Sequence, residues 1–120
     1  MYATTVRFSI PPGTDWEALR QGLVRRAFEA FRGVPGLRAK AFVFAPERGE
    51  IGGNYVWYTQ DDAEAYFRSG TFRATVDRLG EPRIEGAEVC AYVEDGDLLF
   101  PPDYHPASRT DDAPGAAPPM

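Results

Sequence analysis

Four side chains in the middle of the chain have the types and spacing to act on a small organic molecule: Lys40, Asn54, Trp57 and Tyr66. Lys40 sits in the run Arg38-Ala39-Lys40-Ala41-Phe42-Val43-Phe44, which carries apolar residues on both faces. Its ammonium is either a snorkelling group at a sheet edge or a cation aimed at an enolate. Asn54 opens a strand-like segment, where asparagine is depleted, and if buried it must find a hydrogen-bond partner. It serves either the bend beside Gly52-Gly53 or a substrate. Trp57 offers the same choice between core and site, because a buried indole N–H needs an acceptor and a ligand oxygen would do. Tyr66 divides in the same way. Around these four, Tyr55, Phe42, Phe44, Tyr58, Phe67 and Phe72 are the candidates for lining a substrate. Many aromatics with few polar groups is the usual make-up of a small-molecule pocket.

Other chemistries lack their residues. His105 is the single histidine and falls among prolines, with no Cys, His or carboxylate at ligand spacing. Neither a metal site nor an axial haem ligand is expected there. Gly49, Gly52 and Gly53 lie between two strand-like runs rather than between a strand and a helix. They do not form a Rossmann or P-loop phosphate cradle, so no tightly held flavin or nicotinamide is expected. No Ser-His-acid set assembles around a tail histidine. The expected cofactor is none.

The elements that must hold these residues follow from periodicity. Tyr2 to Ile10 alternates, with Val6, Phe8 and Ile10 on one side and Thr5, Arg7 and Ser9 on the other, a half-buried strand. Pro11-Pro12-Gly13 ends it, and Thr14 or Asp15 can cap a helix from Trp16. Leu19, Leu23, Ala27 and Phe31 recur at helical spacing, while the row Arg20, Arg25, Arg26, Glu29 and Arg32 reads as a solvated face. Gly33 stops the helix. Two aromatic-rich runs then flank Pro46-Glu47-Arg48-Gly49-Glu50 as an antiparallel hairpin. Thr59 and Asp62 stand at capping-box spacing before a short helix marked by Ala63, Tyr66 and Phe67. Ser69-Gly70 breaks it, Thr71 can cap another with Phe72, Val76 and Leu79 inward, and Gly80 ends that one. A last strand is expected from Ile84 to Val93. The order is β-α-β-β-α-β, the ferredoxin-like α+β class. Both faces of the hairpin are apolar and the chain has helix for only one layer, so a second copy of the sheet is the natural cover.

Composition bounds the rest. The 120 residues fit one domain, here 1–95, followed by a proline-rich tail, 96–120. Leu98-Leu99-Phe100 is expected to pack, and the chain to be mobile from about Ser108. A net charge of −5 argues against nucleic acid or anionic membrane as partner. No apolar run approaches membrane-helix length, and no secretory leader stands at the start. The lone Cys90 reads as a small buried apolar residue in a reducing cytoplasm.

Pro35-Gly36-Leu37, Lys40, Gly52-Gly53, Tyr55, Trp57, Ala63 and Ala65-Tyr66, with Phe72-Arg73 and Leu79-Gly80-Glu81-Pro82, resemble the YdhR-type monooxygenase-like family. That family is a branch of the dimeric α+β barrels that include the antibiotic-biosynthesis monooxygenases. The resemblance covers about residues 2–95, and Asn54 and the tail depart from it. It implies a homodimer with sheets packed face to face and a pocket between sheet and helices in each subunit. It also implies a cofactor-independent oxygenation. A phenol or enolisable ketone of aromatic or polyketide type would lose a proton, with Asn54, Trp57 or Lys40 holding the anion and Tyr66 or Tyr55 moving the proton. The same pocket would suit a cyclase or isomerase of such an intermediate, or simple binding.

Overall fold

Alternation along the first residues becomes strand β1 (Tyr2–Ser9), in a computed structural model that describes residues 1–30 and 33–99. Helix α1 (Trp16–Ala30) follows, capped by Asp15, whose Oδ1 accepts from the Ala18 N–H at 3.0 Å. Strand β2 (Leu37–Ala45) and strand β3 (Glu50–Trp57) are joined through a single 3₁₀ turn, Pro46–Arg48. Gly49 closes that turn at φ 66°, where a Cβ would be unfavourable. Then come α2 (Gln60–Phe67), α3 (Gly70–Leu79) and β4 (Arg83–Glu88).

The four strands form one antiparallel sheet in the order β2-β3-β1-β4. This is the ferredoxin-like arrangement the element order implies. In β1 and β3 the register places Thr4 beside Tyr55, Val6 beside Gly53 and Phe8 beside Ile51. Those side chains share one face, against which Leu23 of α1, Ala63 and Tyr66 of α2, and Phe72 and Val76 of α3 are buried. All three helices therefore lie on one side. The opposite face presents Ala3, Thr5 and Arg7, with Val43, Asn54 and Val56, and within residues 1–88 no described helix covers it.

Several local expectations change. The capping residue of α3 is Ser69, not Thr71; its hydroxyl accepts from the Phe72 N–H at 3.3 Å and lets Gly70 open the helix. Thr59 caps α2 as expected, accepting from the Asp62 N–H at 3.0 Å, but its hydroxyl also donates to the Asp62 carboxylate at 2.8 Å. That replaces the usual return bond from carboxylate to backbone. The single strand expected over 84–93 is divided. β4 ends at Glu88, and residues 92–94 form β5 (Tyr92–Glu94), paired with β6 (Asp97–Leu99). Asp95 and Gly96, at φ 52° and 81°, make the two-residue hairpin turn that Asp-Gly favours. Cys90 falls in the break between β4 and β5 and is exposed rather than buried; Leu98, on the short hairpin, is exposed within the single chain. The chain accordingly forms two compact units, Met1–Glu88 and one that begins at Val89. Phe31, Phe100 and His105 lie outside the described residues, as does the tail expected to be mobile. No helix among the described residues is long and apolar enough to cross a membrane.

Candidate active site

Between the sheet and its helices lies a chamber of about 40 Å³. Its floor is Val6 and Phe8 of β1, Lys40 and Phe42 of β2, and Ile51, Gly53 and Tyr55 of β3. Leu23 and Arg26 of α1, Tyr66 of α2, and Phe72 and Thr75 of α3 close it from above. Space of this size holds about two or three waters. It takes the reacting edge of an organic molecule rather than a whole ring system.

Gly53 makes room for the polar part. A Cβ there would stand 2.9 Å from Cε of Lys40 and 3.0 Å from the Tyr55 ring, so glycine leaves the lysine stem room that a larger residue would take by pushing it aside. Lys40 Nζ rests over the rings of Phe42 and Tyr55, 3.9 and 4.5 Å from their centroids. An ammonium among rings loses hydration that the π faces only partly replace. Burial, and next the positive charge of Arg26, pull the Lys40 pKa down to about 7. It can therefore give and take a proton near neutrality, a property a surface lysine lacks.

The phenols respond in the opposite direction. Burial raises the Tyr55 pKa well above its ordinary value, and the neighbouring Tyr66 adds to this. Tyr66 is also raised by burial, against the opposing effects of the Tyr55 hydroxyl and of Arg26. Both therefore stay protonated near neutrality. Arg26 is itself lowered, by burial first and then by the charge of Arg78. Two basic groups and two phenolic hydroxyls thus meet in an apolar chamber, and no carboxylate is among its described lining residues. Such a site favours an oxyanion.

The structure brings together Lys40, Tyr66, Tyr55, Phe42 and Phe72 from the residues singled out in the sequence. It does not bring the others. Asn54 is exposed on the opposite face of the sheet, where its Oδ1 accepts from Arg7 Nη2 at 3.0 Å. The two-residue alternation of β3 forces this, since Tyr55 and Trp57 point the other way. Trp57 is fully buried, and its Nε1–H donates to Thr4 Oγ1 at 3.0 Å, so the indole donor is spent inside the core. Phe44 packs edge-on against Trp16 with centroids 5.7 Å apart, and Phe67 belongs to the ring cluster with Tyr55, Trp57, Tyr66 and Phe72. Neither lines the chamber. Tyr58, past the end of β3, is 45% exposed.

Arg26, expected in a solvated arginine row, is instead half-buried in the chamber wall. Its signal is a position three residues after Leu23, on the shoulder of the apolar stripe. Trp57→Phe is expected to lower stability by about 1–3 kcal/mol, because it removes packing and leaves the Thr4 hydroxyl without its partner. Asn54→Ala is expected to change turnover by less than about twofold, under about 0.5 kcal/mol of barrier. Urea unfolding checks the first, and steady-state rates at matched folded fraction check the second.

Among the described residues no three His, Cys, Asp or Glu side chains gather where a metal ion could be held. No protein-family model and no curated protein matches the sequence. Solved structures do. A protein of unknown function from Nitrosomonas europaea aligns with a TM-score of 0.61 at 21% identity, over 80% of this chain and 95% of its own. A "putative antibiotic biosynthesis monooxygenase" from Deinococcus radiodurans aligns at 0.59 and 16% identity, over 78% and 97%. A second protein so described, from Nitrosomonas europaea, aligns at 0.51 and 21%, over 72% and 94%. The shared feature is the fold, a ferredoxin-like α+β arrangement.

Proposed function

We propose, from a chain that carries the fold of antibiotic-biosynthesis-monooxygenase-like proteins, that it is a cofactor-independent oxygenase of aromatic or polyketide-type small molecules. The observation that carries this reading is the convergence of Lys40, Arg26, Tyr55 and Tyr66 on one apolar chamber. The edge of a phenol or enolisable ketone enters, and its proton passes to the neutral Lys40 amine. Arg26 and the Tyr66 hydroxyl hold the resulting anion, an interaction worth most where water is excluded. The carbanion-like ring carbon then forms a bond to dioxygen. The Lys40 ammonium returns its proton to the peroxide, and loss of water leaves a carbonyl. One oxygen atom stays on the substrate and the other departs as water. The two electron pairs that reduce dioxygen come from the substrate.

The sheet face away from the helices supports a homodimer. Ala3, Val43 and Val56 are only half covered there, and Arg7 with Asn54 forms a polar pair among them. A second copy pressed on this face would bury it, as two-sided sheets require. The single Cys90, a free thiol, suits a reducing cytoplasm.

Dioxygen uptake with 1,4-naphthalenediol tests the reaction. The expected product is 2-hydroxy-1,4-naphthoquinone, formed with one dioxygen consumed per diol and with water rather than hydrogen peroxide as co-product. Uptake no faster than the uncatalysed oxidation would defeat the oxygenase. Turnover of an enolisable ketone under anaerobic conditions would replace it with a cyclase or isomerase, and tight binding without turnover with a binding protein.

A further inference from the structure

Arg26 does not only close the chamber. It also lines a second hollow of about 280 Å³, formed by residues of α1 and α3. Leu23 and Arg26 are common to the two spaces, so this groove lies directly outside the chamber wall. Its polar lining is Arg25, Arg26 and Arg78, and its other walls are Ala18, Leu19, Gly22 and Leu23. No carboxylate is among its described lining residues. Among the described residues, none of these three arginines forms a salt bridge. This contrasts with Arg20, Arg48, Arg73 and Arg83, each of which pairs with a glutamate. On a chain of net charge −5, three guanidinium groups around one hollow are a local reversal of sign.

We infer that the α1–α3 groove binds the carboxylate of an acidic aromatic substrate, whose hydroxyl or keto end reaches past Arg26 into the chamber. The inference rests on the reading that the chamber receives the reacting end. Size favours it, because a chamber of about 40 Å³ accepts an edge and the groove accepts the remainder. Chemistry favours it too, since guanidinium forks match carboxylates in geometry and charge. Arg26 and Arg78 line the same hollow, from α1 and α3 respectively, so one anion there meets both. Arg25 and Arg78 are exposed and Arg26 is half-buried, giving a gradient from the solvent toward the chamber.

The test compares binding of 6-hydroxy-2-naphthoate with that of 2-naphthol, which has the same rings and hydroxyl without the carboxylate, by calorimetry on the full chain. The expected result is a preference of about tenfold or more for the acid, the scale of one charge-assisted contact. That ratio should fall to about threefold or less in Arg78→Ala, and decline as salt is raised. Arg25→Ala, at another exposed position, provides the same reading should Arg78→Ala fold poorly. Equal affinities, a ratio unchanged in both variants, or no measurable binding of the acid would overturn the inference. Its failure is separable from that of the oxygenase. Dioxygen uptake with the neutral diol and no preference for the acid would sink this inference alone, whereas an arginine-dependent preference without uptake would sink only the reaction.

Discussion

Lys40→Met is expected to lower turnover of 1,4-naphthalenediol by about 10²–10⁴-fold, the usual range for a lost general base. In the unsubstituted protein the rate should rise with pH through about 7, as the ammonium gives up its proton. The variant should lack that limb. The same substitution should stabilise the fold at low pH. Lys40 has a folded value of about 7 against an ordinary 10.5. Between those values the unfolded chain holds a proton that the folded chain does not, so stability rises with pH across that window. Conversely, it is lost as pH falls through the folded value. A thioether side chain has no charge to bury. At about pH 6 the variant should therefore be the more stable by roughly 2–3 kcal/mol, after discounting the solvent that still reaches the amine. The gap should close toward the ordinary value of 10.5. Urea midpoints on either side of the folded value, near pH 6 and near pH 9.5, measure it. A gap that ignores pH would remove Lys40 as a buried titrating group.

Gly52→Ala should cause the largest loss of stability of any single methyl addition in the sheet. Gly52 pairs with Arg7 on β1 and Val43 on β2, in the middle of the four strands. A Cβ there would run into the Val6 carbonyl oxygen, and would stand 2.8 Å from its carbon and 3.2 Å from the Arg7 Cα. These are backbone atoms, which cannot swing aside as a side chain does. The expected loss is about 3 kcal/mol, at the upper end of overpacking. For a unit of this size that lowers the melting temperature by roughly 12–24 °C. Gly53→Ala is the comparison. Its neighbours are the flexible end of Lys40 and the Tyr55 ring, so it should lose about 1 kcal/mol while altering what the chamber accepts. A thermal melt of each variant decides the matter, and equal losses would mean that the strands have room to separate at Gly52.

The element order is legible in the sequence because each element has a strong local signature. Val6, Phe8 and Ile10 alternate, Leu19, Leu23 and Ala27 step helically, and Thr59 announces α2. Antiparallel pairing then leaves few topologies open. What period alone does not decide is which face of β3 turns toward the helices. Both faces hold large residues, so Asn54 and Trp57 look like members of one site, although their opposite parities on the strand must separate them. Lys40, Tyr55 and Tyr66 fall together because all three lie on the covered side. Arg26 is hidden by composition, since one arginine among several on a helix looks like the rest until the neighbouring helix is in place. The Asp95-Gly96 turn carries its own signature, but an apolar alternation that runs on through Cys90 masks the break before it.

The bond between Trp57 and Thr4 gives the molecule an internal optical reporter. Only two tryptophans exist, and Trp57 is the one wholly shielded from water, stacked on Tyr55 with ring centroids 5.4 Å apart and an interplanar angle of 9°. Tyr55 in turn forms part of the chamber wall. Anything that settles against that wall therefore alters the surroundings of a buried emitter, and its arrival can be followed by fluorescence without attaching a dye.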